Sequence, residues 1–222
     1  MLVACWSTKG GTGTTVVAAA LALLCARARG PSVLAVDLDG DLPAALGLPE
    51  GIEAPGVADW LAAAPAVPVD GLSRLEEPVD SRLALLRRGR GPLDAGAADL
   101  LAGVLAAEPR PVVVDCGRLD LDAADGGGVG AVVAASGGRS LLVLRQCYLA
   151  VRRAQALPLR PSGIVLLREE GRVLTVDDVE KVTGVPVVAR VRVTEQVARA
   201  VDAGLLTREL PRTLARDLRR AA

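Results

Sequence analysis

Short apolar runs alternate with longer stretches of helical spacing along most of the chain. The runs predict strands over Leu2–Ser7, Ser32–Val36, Leu83–Leu86, Pro111–Val114, Ser140–Leu144, Gly163–Leu167 and Val185–Ala189. They are rich in Val and Leu and almost continuously apolar, which suits parallel strands buried on both faces. Between them the spacing predicts helices over Thr15–Arg29, Val57–Ala63, Ala95–Ala107, Leu149–Leu157, Val176–Thr183, Glu195–Ala203 and Arg212–Ala221. Some boundaries are explicit. Gly30-Pro31 stops the first helix, Thr175 followed by Asp177 and Asp178 caps another, and Gly184-Val185-Pro186 closes it. The alternation predicts an α/β fold: a doubly wound, mostly parallel sheet with helices on both faces, in a single domain over residues 1–222. The segments 64–82, with Pro65, Pro68 and Pro78, and 117–139, with Gly126-Gly127-Gly128 and Gly137-Gly138, predict loops or covers. No repeat, charge block or linker divides the chain.

Composition narrows this picture. Hydrophobic residues make up 51% of the 222, aromatics only 1%, and Phe is absent, so the core must be built from Val, Leu and Ala. The 26 basic and 26 acidic residues cancel, which gives no support to a generally basic DNA-binding surface. Cys5, Cys25, Cys116 and Cys147 have no C-x-x-C spacing and no His to join them, and they read as small apolar residues in a reducing compartment. The chain opens directly on a strand, and no apolar stretch reaches transmembrane length free of charge or glycine. A cytoplasmic protein is expected.

The candidate chemistry begins where the first strand ends. Residues 7–15 read Ser-Thr-Lys-Gly-Gly-Thr-Gly-Thr-Thr, between the apolar runs Leu2–Trp6 and Val16–Cys25. A strand, a glycine-rich turn and a helix start can cradle a phosphate, because turn amides point inward and the helix adds its positive end. The lysine that the pattern G-x-x-x-x-G-K-S/T places before the last hydroxyl is missing; Thr14 stands there, while Lys9 sits early in the loop. Asp37 and Asp39 follow a second strand and Asp115 ends a later one. Singly, each aspartate fits a loop cap. Together they fall on the carboxyl edge of the sheet, where carboxylates beside phosphates call for a cation such as Mg²⁺.

Through these segments the chain resembles the ParA/MinD family of P-loop ATPases, whose deviant Walker A loop reads K-G-G-x-G-K-S/T. The likeness runs through Lys9–Gly13, the Asp37/Asp39 segment with Leu46-Gly47-Leu48, the Asp115 segment, residues 148–154 and residues 197–204. It lies nearest the CpaE/TadZ-like branch associated with pilus and polar positioning. The resemblance implies ATP and Mg²⁺ as cofactors, with Gly10, Gly11, Thr12, Gly13, Thr14 and Thr15 around the phosphates. It implies Thr15, Asp37 and Asp115 near the metal, Asp39 orienting water, and Gly117 as the switch glycine. It also implies that Lys9 reaches across a homodimer to the partner's phosphates.

Two departures matter. Thr14 removes a charge-assisted contact worth roughly 1.5–3 kcal/mol, about one to two decades in affinity. Leu167 replaces the family's adenine-recognising Asn. The resemblance therefore implies an ATP-binding positioning or partitioning protein of septum, chromosome or pilus machinery, with weak or absent hydrolysis. The alternative is a non-catalytic scaffold acting through its dimer or partner surfaces. Partners would be a second copy and a protein of that machinery, with a peripheral place at the membrane or pole as one option. DNA contact through Arg190, Arg192, Arg208, Arg212, Arg216, Arg219 and Arg220 stays open. Leu210, Leu214 and Leu218 share a face of the last helix, and without Trp or Phe they suit packing onto the sheet better than a membrane.

Overall fold

In the computed structural model, the described residues are 1–28, 30–49, 54–64, 69–122, 126–136 and 138–222. Arg29, Pro65, Pro68 and Gly137, singled out above, lie outside them. In chain order the elements are β1 (Leu2–Ser7), α1 (Thr14–Arg27), β2 (Val33–Asp37), α2 (Leu42–Ala45), α3 (Val57–Ala63), a 3-10 segment Val69–Leu75, β3 (Glu77–Pro78) and β4 (Leu83–Leu86). A 3-10 turn Ala95–Ala97 leads into α4 (Ala98–Ala107), then β5 (Val112–Arg118), α5 (Gly128–Ala135), β6 (Arg139–Arg145), α6 (Tyr148–Gln155) and β7 (Gly163–Arg168). The chain closes with α7 (Val176–Thr183), β8 (Val187–Arg192), α8 (Glu195–Asp202) and α9 (Arg212–Leu218).

Among the described residues the strands form one eight-stranded sheet in the order β3-β4-β2-β5-β1-β6-β7-β8. Every pairing is parallel except that of the short edge strand β3 with β4. Because side chains alternate across a strand, each strand feeds two cores. Leu2, Ala4 and Trp6 face one layer, packed with α3, α4, α5, α6 and α7. Val3 and Cys5 face the other, with α1, α2, α8 and α9. The small residues of α1 let it lie deep in that second layer: Val17 through Leu23 are all buried.

Several boundaries move from the sequence expectation. The first helix starts at Thr14 and ends at Arg27, where Ala28 turns to extended backbone at ψ 155°. The strand expected to end at Val114 runs on to Arg118, because a bulge in β5 shifts its register and pairs Ser7 with Arg118. The last strand lies at Val187–Arg192 rather than Val185–Ala189: Gly184 is left-handed at φ 66°, and Pro186 has no N–H to give a ladder. The last helix stops at Leu218, and Ala221 continues as a turn bonded to the Leu218 carbonyl at 2.8 Å. The helix expected from Ala95 opens as a 3-10 turn, and its neighbours at Leu149–Leu157 and Glu195–Ala203 become Tyr148–Gln155 and Glu195–Asp202. The segments expected as loops hold β3 and α5, and α2 adds a short turn after β2. Leu210, Leu214 and Leu218 are buried in the core layer of α1.

Candidate functional site

β1 delivers the chain to the carboxyl edge at Ser7, and α1 carries it back under the sheet from Thr14. The turn between them needs glycine at one point above all: Gly13 caps α1 at φ 83°, a conformation side chains disfavour. Gly10 is different. Its φ is not positive and a Cβ there would meet nothing within 4 Å. Neither conformation nor packing asks for glycine at Gly10, so the bare backbone faces open space. No side chain caps α1 and its first turn holds no acidic residue. Its leading amides therefore lack a local anion, the condition in which a helix start attracts phosphate.

The loop is held by short polar contacts. The Ser7 hydroxyl donates to the Lys9 carbonyl at 3.1 Å and also lies 3.5 Å from the Gly117 carbonyl. One proton serves one acceptor at a time, and the shorter contact is the bond. Thr12 donates to the same Lys9 carbonyl. Leu119 N–H donates to the Ser7 carbonyl at 2.8 Å, so the phosphate-type loop and the loop after β5 are tied together. The Lys9 side chain is exposed and, among the described residues, makes no ion pair. Thr12 and Thr14 are buried, while Thr15 is half-buried.

Asp37 at the end of β2 and Asp115 within β5 sit side by side in register, both with 0% exposure. Asp37 Oδ1 accepts from the amides of Asp39 at 3.0 Å and Gly40 at 2.7 Å. Asp115 Oδ1 accepts from the Gly117 amide at 3.1 Å. The second oxygen of each, Oδ2, is buried with no partner. Burial pushes the Asp37 carboxyl up to about 6 against the pull of those amides. Burial also pushes Asp115 up to about 7, with the Thr15 hydroxyl opposing and the Asp37 charge assisting. Two adjacent carboxylates with unsatisfied oxygens are costly unless a proton or a cation neutralises them. Among the described residues no group of three or more His, Cys, Asp or Glu gathers for an all-protein cage. Mg²⁺ does not need one: one or two carboxylates, water and phosphate oxygens suffice. The orphan oxygens, with the Thr15 hydroxyl beside them, fit that donor set.

Asp39 lies over Gly117. That glycine has φ 59°, and a Cβ built on it would fall 2.1 Å from the Asp39 Cγ. Partial burial and the neighbouring Asp41 raise the Asp39 carboxyl, while the Arg88 guanidinium opposes them. Asp37, Asp39, Asp41, Arg87 and Arg88 line one cleft of about 360 Å³. Its basic wall is rigid. Val57 and Ala58 amides donate to the Arg87 and Arg88 carbonyls at 2.9 and 2.8 Å, and Arg87 pairs with Glu77 at 2.6 Å. The sequence reading missed this wall and the Ser7 tie. Ser7 was visible as the hydroxyl between strand and loop, but nothing local placed Arg88 beside Asp39, because β4 reaches that edge only through the sheet order. On the other side of the loop a slot of about 210 Å³ opens beside Gly11–Gly13, lined by Leu167 and the end of β8.

Every residue proposed from the sequence thus lies at one edge of the sheet: the loop Lys9–Thr15 at the end of β1, Asp37 and Asp39 after β2, and Asp115 and Gly117 at the end of β5. Cys5 and Cys116 are buried, while Cys25 and Cys147 are half-buried, and all are free thiols. Arg192 and Arg216, raised as DNA contacts, both pair with Asp217. Among the described residues no helix is long and apolar enough to cross a membrane.

The sequence model of the family described as CobQ/CobB/MinD/ParA nucleotide binding domain matches residues 3–207. No curated protein matches the chain. Among solved structures, a ParA family ATPase from Chlorobium tepidum superposes with a TM-score of 0.78 at 22% identity, covering 98% of this chain and 96% of that one. The septum site-determining protein MinD of Pyrococcus horikoshii, complexed with Mg-ADP, gives 0.74 at 19% identity over 99% and 94%. MinD of Aquifex aeolicus in its complex with MinC gives 0.75 at 16% over 99% and 94%. At these identities the likeness is one of fold.

Proposed function

Because the chain belongs to the CobQ/CobB/MinD/ParA nucleotide-binding domain family, we propose that it is an ATP-binding positioning or partitioning protein with weak or absent hydrolysis. The observation that carries this reading is the pair of orphan oxygens on Asp37 and Asp115 beside the uncapped start of α1. In this reading the amides of Gly10–Thr14 hold the phosphates. Thr15, Asp37 and Asp115 hold Mg²⁺, which when bound neutralises phosphate charge. Asp39 orients water from its seat over Gly117. Lys9, exposed and unpaired among the described residues, serves a second copy of the chain. Thr14 brings no charge to the head of α1, so turnover suffers more than binding. Relatives that partner other proteins, such as the Aquifex aeolicus MinD seen with MinC, support a protein partner here, and the sequence likeness supports pilus or polar machinery in the cytoplasm.

A second reading is favoured by Thr14 itself: a scaffold that keeps the fold and its partner surfaces without nucleotide. Isothermal titration of the full chain with ATP and Mg²⁺ separates the two. Saturable, Mg²⁺-dependent binding supports the switch. No heat and no thermal stabilisation at millimolar ATP supports the scaffold.

A further inference from the structure

We propose that the site takes nucleoside triphosphates with little regard to the base, binding ATP and GTP within about tenfold of each other. This inference rests on the reading of the loop as a nucleotide site, and it concerns the slot beside that loop.

The slot runs from Gly11–Gly13 toward Leu167, Val191, Val193, Val197 and Val201, with a volume of about 210 Å³. That is less than the roughly 300–1,000 Å³ of a complete small-molecule site. It suits one part of a ligand whose charged part lies on the loop. For a nucleotide that part is the nucleoside.

Adenine and guanine share a flat double ring and differ at its polar edge. To tell them apart a protein needs donors and acceptors that are fixed, dry and not otherwise engaged. The slot's polar side chains are either held by other groups or stand half-exposed at its wet rim. Thr12 donates to the Lys9 carbonyl. Arg145 pairs with Glu169. Arg192 lies against Asp217 through Nε at 3.6 Å, and like Arg145 it is about half exposed, so a bond from its other donors to a base merely replaces a bond to water. Thr194 caps α8 by accepting from the Val197 amide at 3.4 Å. The remaining one, Asp202, is exposed, so a bond to a base merely replaces a bond to water. Leu167 closes the inner wall at 8% exposure, with its Cδ1 3.3 Å from where a Cβ on Gly13 would be. It offers no polar side-chain atom, and its backbone carbonyl already accepts from the Gln146 amide at 3.0 Å. What remains is an aliphatic wall, which rewards the flat face of any base and ignores its edge.

The test measures the affinities of ATP, GTP and inorganic tripolyphosphate, each with Mg²⁺, for the full chain. Both nucleotides should bind within about tenfold of each other, and each should bind at least about tenfold more tightly than tripolyphosphate, because the slot adds the base contact. A larger preference for either base overturns the inference. So do nucleotides that bind no better than tripolyphosphate, since the slot is then not in use. Leu167→Asn places an amide donor and acceptor in the wall. In a variant shown to be folded by circular dichroism, the ATP-to-GTP ratio should move beyond tenfold while tripolyphosphate binding stays level; an unmoved ratio overturns the role given to Leu167. Failure of all three ligands to bind overturns the nucleotide reading together with the inference, whereas tight but selective binding overturns the inference alone.

Discussion

At the head of α1 a hydroxyl stands where a charged contact to phosphate would be strongest, and the helix dipole alone supplies about half a unit charge. Thr14→Lys should therefore tighten Mg²⁺-ATP binding by about tenfold or more and raise turnover. Calorimetry and a phosphate-release assay on the folded variant check this; no gain in either would move the defect to another residue, with Leu167 first in line. The buried carboxylates make a second prediction. Asp37 and Asp115 hold their protons more tightly in the folded chain, up to about 6 and about 7, than the ordinary 3.8. Their contribution to stability is thus full below the unfolded value and is lost as pH rises through those folded values. Without nucleotide, Asp115→Asn should stabilise the chain at pH 8 by on the order of 2 kcal/mol and flatten the fall in melting temperature between pH 5 and 8. An equally steep fall in the variant would rule out Asp115 as its source. Lys9, Asp37 and Asp115 were legible in the sequence because each follows closely on an apolar run of strand length. The seat of Asp39 on Gly117 was not, because residues far apart in the chain meet there only after the sheet is assembled.

Elements were easiest to read where their ends carry explicit chemistry. Thr175 Oγ1 accepts from the Asp178 amide at 3.1 Å while the Thr175 amide donates to the Asp178 carboxylate at 2.8 Å, the reciprocal cap that the sequence announces. Elements without such ends stayed hidden. β3 is a two-residue edge strand containing a proline, α2 is four residues long, and α5 begins amid three glycines. Periodicity needs more length than these provide. The loop after β5 gives the prediction at this scale. Gly117→Ala would put a methyl group into the Asp39 carboxyl and strain a left-handed backbone, so Asp39 must leave its seat. Mg²⁺-ATP turnover should fall at least about tenfold, by analogy with the loss of one positioned group in general. Nucleotide binding should change less, as read by calorimetry. Unaltered turnover would show that the position of Asp39 does not matter to the reaction.

For the whole molecule, class was legible and order was not. Alternating runs announce a parallel sheet, but nothing local says that β5 lies between β1 and β2, which is what brings Asp37 and Asp115 together. Lys9 belongs to this scale too. Facing triphosphates repel unless cations intervene, so Lys9→Ala should weaken ATP-dependent dimerisation about tenfold or more while leaving ATP binding to the monomer within a few-fold. Sedimentation and calorimetry on the same samples separate the two. A dimer that forms without nucleotide and ignores the substitution would favour the scaffold.

The encasement of α1 bears on which motions this chain can make. Over Val17–Leu23 every residue of α1 is buried, and the helix touches β1, β2, β4, β5, α2 and α9, so these two turns have no solvated side on which to open by themselves. The amides of Val17–Leu23 exchange with deuterium only when the whole domain opens, so they should be among the slowest in the molecule. The loop that α1 anchors is then fixed at its far end, and only its exposed crest at Lys9–Gly11 is free to move on shorter timescales. Deuterium uptake recorded with and without Mg²⁺-ATP should fall at short exchange times at that crest, at the head of α1 and around Asp39 and Gly117, while Val17–Leu23 slow only at long times and uniformly, by the factor that binding adds to global stability. Fast exchange along Val17–Leu23 without nucleotide would show that α1 opens locally instead.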